Sequence, residues 1–340
     1  MAATAITQWV GITLWIIALS NRGGAAEATE LRLGHFPNIT HAQAVLARAT
    51  GEFQKKVGVP IRWTSFNAGP TAIEALFTDA IDATFVGPSP AINGFLRSRG
   101  EKFVVLSGAA SGGAGLIVRK DAGIRNERDF DGKTIATPQL GNTQDIAART
   151  WFTERGYRFR ERGGSLTLLA LSNADQLTML RKKQIDGAWT VEPWLARLEI
   201  EGNGDLFLEE KTLWPEGRYA TTLLVVNRMF VRDQPKMVRQ LLGALIDVTQ
   251  QINSNKTTAA KTLNAELKKE TGKALAESVI LRAMDRVEFT WDPVAASLRK
   301  SAERAHRIGF LRTEPDLKGL LSLELLNEVL KERGLQMVTE

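Results

Sequence analysis

The chain has 340 residues, 44% hydrophobic and 24% charged, with a formal net charge of +6. That length exceeds what one hydrophobic core spans and favours two domains of a globular protein. Cysteine is absent, which excludes disulfides, thiolate zinc sites, a cysteine nucleophile and lipid attachment through an N-terminal cysteine; the basic residues alternate with acidic ones, so the positive balance does not point to nucleic acid.

In chain order, residues 9–19 (WVGITLWIIAL) form the first feature. The run is roughly half the ~20 residues that a membrane span needs and reads as a signal-peptide core. Small residues at Gly23, Gly24, Ala25, Ala26 and Ala28 offer cleavage sites. Residues 1–28 are therefore expected to be a signal peptide, placing the protein in the periplasm or at the cell surface. Residues 1–8 carry no Lys or Arg, which leaves an upstream start or an uncleaved anchor as alternatives.

Strands and helices then alternate. Strands are expected at 31–34, 61–66, 83–86, 103–109, 116–119, 134–137, 166–170, 188–190 and 222–227. The helices between them are expected at 42–56, 71–78, 90–98, 143–154, 174–183 and 194–201. Beyond Asn227 the pattern is nearly all helical, at 235–253, 257–269, 274–286, 293–308 and 317–333. The fold class is thus α/β with a helical C-terminal region.

One segment occurs twice: residues 75–88 are echoed by 179–193. Each copy has a helix end, a polar turn, a strand opened by Ile-Asp, an aromatic residue and a proline-marked helix start. Two such units imply two similar lobes with a cleft between them. Glycine-marked passages at Ser111-Gly112-Gly113-Ala114-Gly115 and after Tyr219 read as crossings between the lobes. Lobe one is then 30–112 plus 220–340, and lobe two, 113–219, is inserted through a two-strand hinge.

Five strand-to-helix turns converge on that cleft: 34–41, 67–71, 87–90, 137–143 and 190–194. Glycine permits close backbone approach, proline opens helices, and Ser, Thr and Asn cap them or donate hydrogen bonds. Turns of this kind suit an anion held without a permanent counter-charge. Ordinary helix starts have the same composition, so the joint pattern carries the reading. Trp189 and Trp194 flank the last turn and are expected as cleft walls against an organic tail. Phe85 reads equally as core. His35, His41 and Glu192 lack a recognised metal spacing, and Gly87-Pro88-Ser89-Pro90-Ala91 departs from a serine-hydrolase elbow at its last position. No metal, cofactor or catalytic residue is expected.

The motifs Leu31-Arg32-Leu33-Gly34-His35-Phe36, Phe66-Asn67-Ala68-Gly69-Pro70, Ile81-Asp82, Gly87-Pro88-Ser89-Pro90-Ala91, Phe130-Asp131-Gly132-Lys133-Thr134 and Asp186-Gly187-Ala188-Trp189 with Glu192-Pro193-Trp194 resemble those of a known family. It comprises the periplasmic substrate-binding proteins of ABC importers for sulfonates, taurine, nitrate and related anions, with binders of thiamine-pyrimidine precursors among them. The resemblance implies a two-lobed type II periplasmic-binding-protein fold, a monomer and no enzymatic activity. It implies capture of a small anion, foremost an aliphatic sulfonate, and delivery to an ABC permease with its ATPase. The ligand-binding residues it implies are His35, Phe36, Asn38, Asn67, Gly69, Pro70, Thr71, Ser89, Ser111, Gln139, Gly141, Asn142, Thr143, Trp189 and Glu192. Glu192 fits an amine such as that of taurine, or serves the helix start it precedes. Alternatives are a binder of nitrate, bicarbonate or a thiamine-pyrimidine precursor, a biosynthetic enzyme on the same fold, and a membrane-fixed sensor.

Overall fold

Two twisted sheets, each flanked by helices, set the architecture of the computed structural model, which describes residues 28–340. The apolar run at 9–19 lies outside the described residues. The strands are β1 (Leu31–His35), β2 (Ile61–Ser65), β3 (Ala83–Val86), β4 (Phe103–Gly112), β5 (Ala114–Arg119), β6 (Thr134–Thr137), β7 (Thr167–Ala170), β8 (Gly187–Val191), β9 (Gly204–Glu209), β10 (Ala220–Asn227) and β11 (Val287–Phe289). The first sheet runs β11-β4-β10-β3-β1-β2 and the second β7-β6-β8-β5-β9. In the first, β1 pairs in parallel with β2 and β3, and β10 lies antiparallel between β3 and β4. In the second, β6 pairs in parallel with β7 and β8, and β5 lies antiparallel between β8 and β9.

The same order therefore appears twice, each time with one antiparallel strand contributed by a crossing. The first crossing joins β4 to β5 through Gly112 and Gly113, whose φ values of +78° and +72° place both in the left-handed region. Two consecutive residues there favour glycine strongly, because a Cβ would meet the following carbonyl. The return crossing is the fully buried strand β10.

Helices α1 (Ala42–Thr50), α2 (Glu52–Val57), α3 (Gly69–Phe77) and α4 (Pro88–Arg97) accompany the first sheet; α5 (Thr143–Glu154), α6 (Asn173–Arg181) and α7 (Trp194–Ile200) accompany the second. The C-terminal part adds α8 (Arg228–Asp233), α9 (Pro235–Ser254), α10 (Lys256–Thr271), α11 (Glu277–Arg286), α12 (Ala295–Arg307) and α13 (Glu324–Glu332). Covered on both faces, the inner strands β3, β4, β8 and β10 are buried along their whole length rather than alternating.

Several expectations need correction. The helix foreseen at 42–56 is two helices parted at Gly51, and the last helix begins at Glu324 rather than 317. Strands β9 and β11 and helix α8 were not foreseen. β9 and β11 are edge strands, the first only partly buried and the second three residues long, so neither leaves a continuous apolar run.

Candidate functional site

The five turns do meet. Phe36, Asn38, Thr40 and His41 after β1, Asn67 after β2, Gly87 after β3, Pro138, Asn142, Thr143 and Gln144 after β6, and Val191 at the end of β8 line one cavity, with Asn173 after β7 and Thr221 on β10. The cavity lies at the C-terminal ends of the parallel strands, where open α/β sheets bind ligands. Its volume is about 20 Å³, room for little more than one water-sized group.

Local sequence fixes its donors. Asp145 accepts from the Thr137 hydroxyl at 3.1 Å and the Gly141 amide at 2.9 Å, folding the turn from β6 into α5. Asn142 caps that helix, its Oδ1 accepting from the Gln144 amide at 2.8 Å. The Oδ1 of Asn38 accepts from Trp194 Nε1 and that of Asn173 from Thr190 Oγ1, both at 3.1 Å. All three carbonyl oxygens are thus engaged, and the three amide nitrogens have no hydrogen-bond partner among the described residues.

His41 completes the donor set. Its Nδ1 accepts from the Phe36 amide at 3.3 Å, and its ring stacks on Phe36 at 4.3 Å. Burial, with His35 adding to it, holds its pKa well below the usual histidine value. The neutral ring therefore carries its proton on Nε2 and acts there as a donor. No Lys, Arg, Asp or Glu lines the cavity. The site is a ring of neutral N–H and O–H groups, suited to oxygen acceptors.

The two halves touch around this ring. The Ser89 amide donates to Thr143 Oγ1 at 3.3 Å, and Trp194 reaches Asn38 from the opposite half. A Cβ at Gly87 would overlap the Thr143 hydroxyl, so glycine permits this approach. Farther out, Glu192 and Glu199 on the second half bind Arg286 of α11 at 3.1 and 2.7 Å.

Of the residues expected at the ligand, Phe36, Asn38, Asn67, Asn142 and Thr143 line the cavity, and Ser89 borders it through its amide. Gly69 packs against Pro90 at the start of α3. Pro70, Thr71, Gln139 and Gly141 belong to the converging turns but lie outside the lining.

Four placements are corrected. His35 sends its ring into the helical layer, where Nε2 meets Glu270 at 2.8 Å, because strand residues alternate faces. Trp189 is not a cleft wall: it is fully buried, packs on Trp151 at 6.0 Å and donates to Glu210 at 2.7 Å. Glu192 turns to its own helix, Oε2 accepting from the Ala196 amide at 3.0 Å, while its other oxygen meets Arg286. Ser111 accepts from the Tyr219 amide at 3.2 Å and ties the two crossings together. Phe85 is core.

Residues not foreseen among the ligand contacts are Thr40, Gly87, Pro138, Gln144, Asn173, Val191 and Thr221; His41 is weighed from the sequence as a metal ligand and, through the family resemblance, as the alternative to His35 for a contact to nitrate. The repeat held a usable signal for Asn173, since the turn after β7 is the counterpart of the turn after β2 that carries Asn67. Thr221, within a buried crossing strand, left none.

The twofold sheet order and the cleft between the sheets are those of the periplasmic substrate-binding proteins. The chain belongs to the NMT1-like family, whose profile matches residues 24–266. It is 21% identical over 316 residues, 92% of this chain and 91% of the other, to a Bacillus subtilis (strain 168) protein with the provisional name aliphatic sulfonates-binding protein. Among solved structures, the alkanesulfonate-binding protein SsuA from Xanthomonas axonopodis pv. citri bound to MOPS superposes with a TM-score of 0.73 at 22% identity, covering 88% of this chain and all of that one. The periplasmic nitrate-binding protein NrtA from Synechocystis PCC 6803 does so with a TM-score of 0.76 at 15% identity, covering 90% and 89%. The family resemblance in the motifs is thus borne out, and the structural likenesses speak for the fold.

Proposed function

We propose that this protein is the solute-binding component of an ABC importer, exported from the cytoplasm, which captures a small oxyanion between its two sheets and delivers it to a permease with its ATPase. An aliphatic sulfonate is the foremost ligand. The observation that carries the reading is the donor ring: Asn38, Asn142 and Asn173 have spent their carbonyl oxygens on other partners, and the cavity wall holds no charge. Sulfonate oxygens accept hydrogen bonds on several sides, and neutral donors bind them without the trapping that a buried guanidinium would impose. The names of the relatives support the same solute class. Closure about the paired crossings would bring the Ser89–Thr143 and Trp194–Asn38 contacts into place once the solute is bound.

A nitrate reading is favoured by one observation, the cavity of about 20 Å³, which suits a small ion.

Calorimetry on protein stripped of ligand by unfolding and refolding tests both, with methanesulfonate, ethanesulfonate, taurine and nitrate. Sulfonate binding supports the proposal, and at ~100 times its Kd the ligand should stabilise the fold by about 2.7 kcal/mol. Binding of nitrate alone selects the second reading. Absence of heat and of thermal stabilisation with every anion overturns the oxyanion role.

A further inference from the structure

We infer that Arg286 is a positioning residue for solute capture: it clamps the two halves together across the hinge and so sets how readily the cleft opens. The inference goes beyond the oxyanion reading and does not depend on it. Arg286 is the last residue of α11 and leads directly into β11, which pairs with β4 through Val287 and Gly112. It therefore moves with the first sheet. Glu192 directly follows β8, and its amide donates to the Gly113 carbonyl at 2.8 Å, so it moves with the second. The two backbones are thus anchored on either side of one peptide link, Gly112–Gly113, where the first crossing turns. Both stand close to it: a Cβ at Gly112 would come 2.9 Å from the Arg286 carbonyl oxygen, and one at Gly113 would come 3.6 Å from Glu192 Cγ.

The guanidinium closes the span. Its Nη1 donates to Glu192 Oε1 at 3.1 Å and its Nη2 to Glu199 Oε2 at 2.7 Å. The Glu192 side chain is fully buried and that of Arg286 is 8% exposed, so salt screens the contact little. Glu199 lies on α7, roughly two helical turns farther from the Gly113 pivot than Glu192. One guanidinium therefore grips the second half at two distances from the pivot. A rotation that carries α7 away from α11 takes these bonds past hydrogen-bonding reach, and separating a buried pair leaves an uncompensated charge. The same grip reaches the donor ring. Val191, just before Glu192, lines the ring, and Trp194, just after, engages Asn38 Oδ1 at 3.1 Å. Holding Glu192 in place thus keeps the Asn38 amide nitrogen turned to the solute.

X-ray scattering of protein stripped of ligand by unfolding and refolding tests the clamp without any solute, using Arg286→Lys and Glu199→Gln. Lysine keeps the charge but lacks the planar fork that spans two carboxylates. Glu199→Gln removes only the carboxylate that is 23% exposed and leaves the buried Arg286–Glu192 pair intact. Both variants are expected to show a larger radius of gyration than the parent. With methanesulfonate as the probe, stopped-flow fluorescence should show release from Arg286→Lys at least about tenfold faster. A lower melting temperature at the parental radius in Arg286→Lys would show that the ion pair serves stability alone, and would overturn the clamp. Should that variant not fold, a parental radius in Glu199→Gln overturns it instead. Release at the parental rate from a variant that binds methanesulfonate also overturns it. A larger radius in a protein that binds no anion supports the clamp, and the oxyanion reading then fails by itself.

Discussion

Asp82 and Asp186 hold the same post in the two sheets. The Asp82 amide donates to the Arg32 carbonyl, and its side chain accepts from the Arg32 amide at 2.7 Å. The Asp186 amide donates to the Thr134 carbonyl, and its side chain accepts from the Thr134 amide at 2.8 Å. Each carboxylate also binds an arginine, Arg32 Nε at 3.0 Å in one case and Arg119 at 3.1 Å in the other. The turn before each aspartate has the same backbone, with Asp79 and Lys183 left-handed at φ +54° and +57°, and Ile81 and Ile185 buried behind it. The Ile-Asp repeated in the sequence is therefore a clasp joining the third strand of each parallel set to the first.

Removing either clasp should cost stability in like measure. Asp82→Ala and Asp186→Ala each strand a backbone amide of a neighbouring strand and an arginine, at about 1–3 kcal/mol. The clasps belong to different sheets and share no partner, so the double variant should show the sum within ~0.5 kcal/mol. Urea melts measure both; a negligible loss for either single variant would show that the repeat has no such role.

Asn142→Asp should abolish most oxyanion binding while leaving the helix intact. Aspartate caps a helix start as well as asparagine does, so the Gln144 amide keeps its acceptor. The substitution exchanges a donor for a negative charge at the ring, and a loss of about tenfold or more is expected from the forfeited hydrogen bond to an anion. Calorimetry together with a thermal melt reads this directly. Unchanged affinity in a protein of unchanged stability would remove Asn142 from the site.

Stability should fall as pH rises from about 4.5 to 7. Burial pushes the Glu192 carboxyl up to about 7, against the opposing pull of the Ala196 amide and Arg286. Burial likewise raises Glu210 to about 7, with the Trp189 indole pulling the other way. In this window the folded chain holds protons that the unfolded chain has released, so unfolding gains with each step upward, and the effect levels off above about 7. Glu192→Gln keeps an acceptor for Ala196 and removes one titrating group, so its stability should vary less between pH 5 and pH 7. Urea melts at the two pH values that show the same difference as the parent would exclude Glu192 as a source.

Gly87→Ala should keep the halves apart. The added methyl overlaps the Thr143 hydroxyl that receives the Ser89 amide, so either the halves stay apart or the Thr143 side chain turns away and gives up that hydrogen bond across them. A larger radius of gyration by X-ray scattering in the presence of ligand is expected, with affinity reduced about tenfold or more. Scattering curves that coincide with those of the parent would show that this contact does not govern closure.

Much of this was legible before any coordinates. The alternation of β3, β6 and β8 with their helices, the twofold Ile-Asp unit and the five capped turns are local matters of propensity, periodicity and turn chemistry, and they located the cleft through Phe36, Asn38, Asn67, Asn142 and Thr143. Where each side chain points was not local. His35 and Phe36 are neighbours in one motif, yet one turns to Glu270 and the other to the cavity. Trp189 looked like a ligand wall because it flanks a turn, but its strand is covered on both faces and the indole finds its partner in Glu210, 21 residues away. The donor character of the ring was likewise decided only in three dimensions: an asparagine presents an amide nitrogen or a carbonyl oxygen according to which end a distant group has engaged. For Asn38 that group is Trp194, 156 residues on and in the opposite half. The sequence by itself determined which segments become strands, turns and clasps, and that two alike sets are built; tertiary packing alone decided which atoms face the solute.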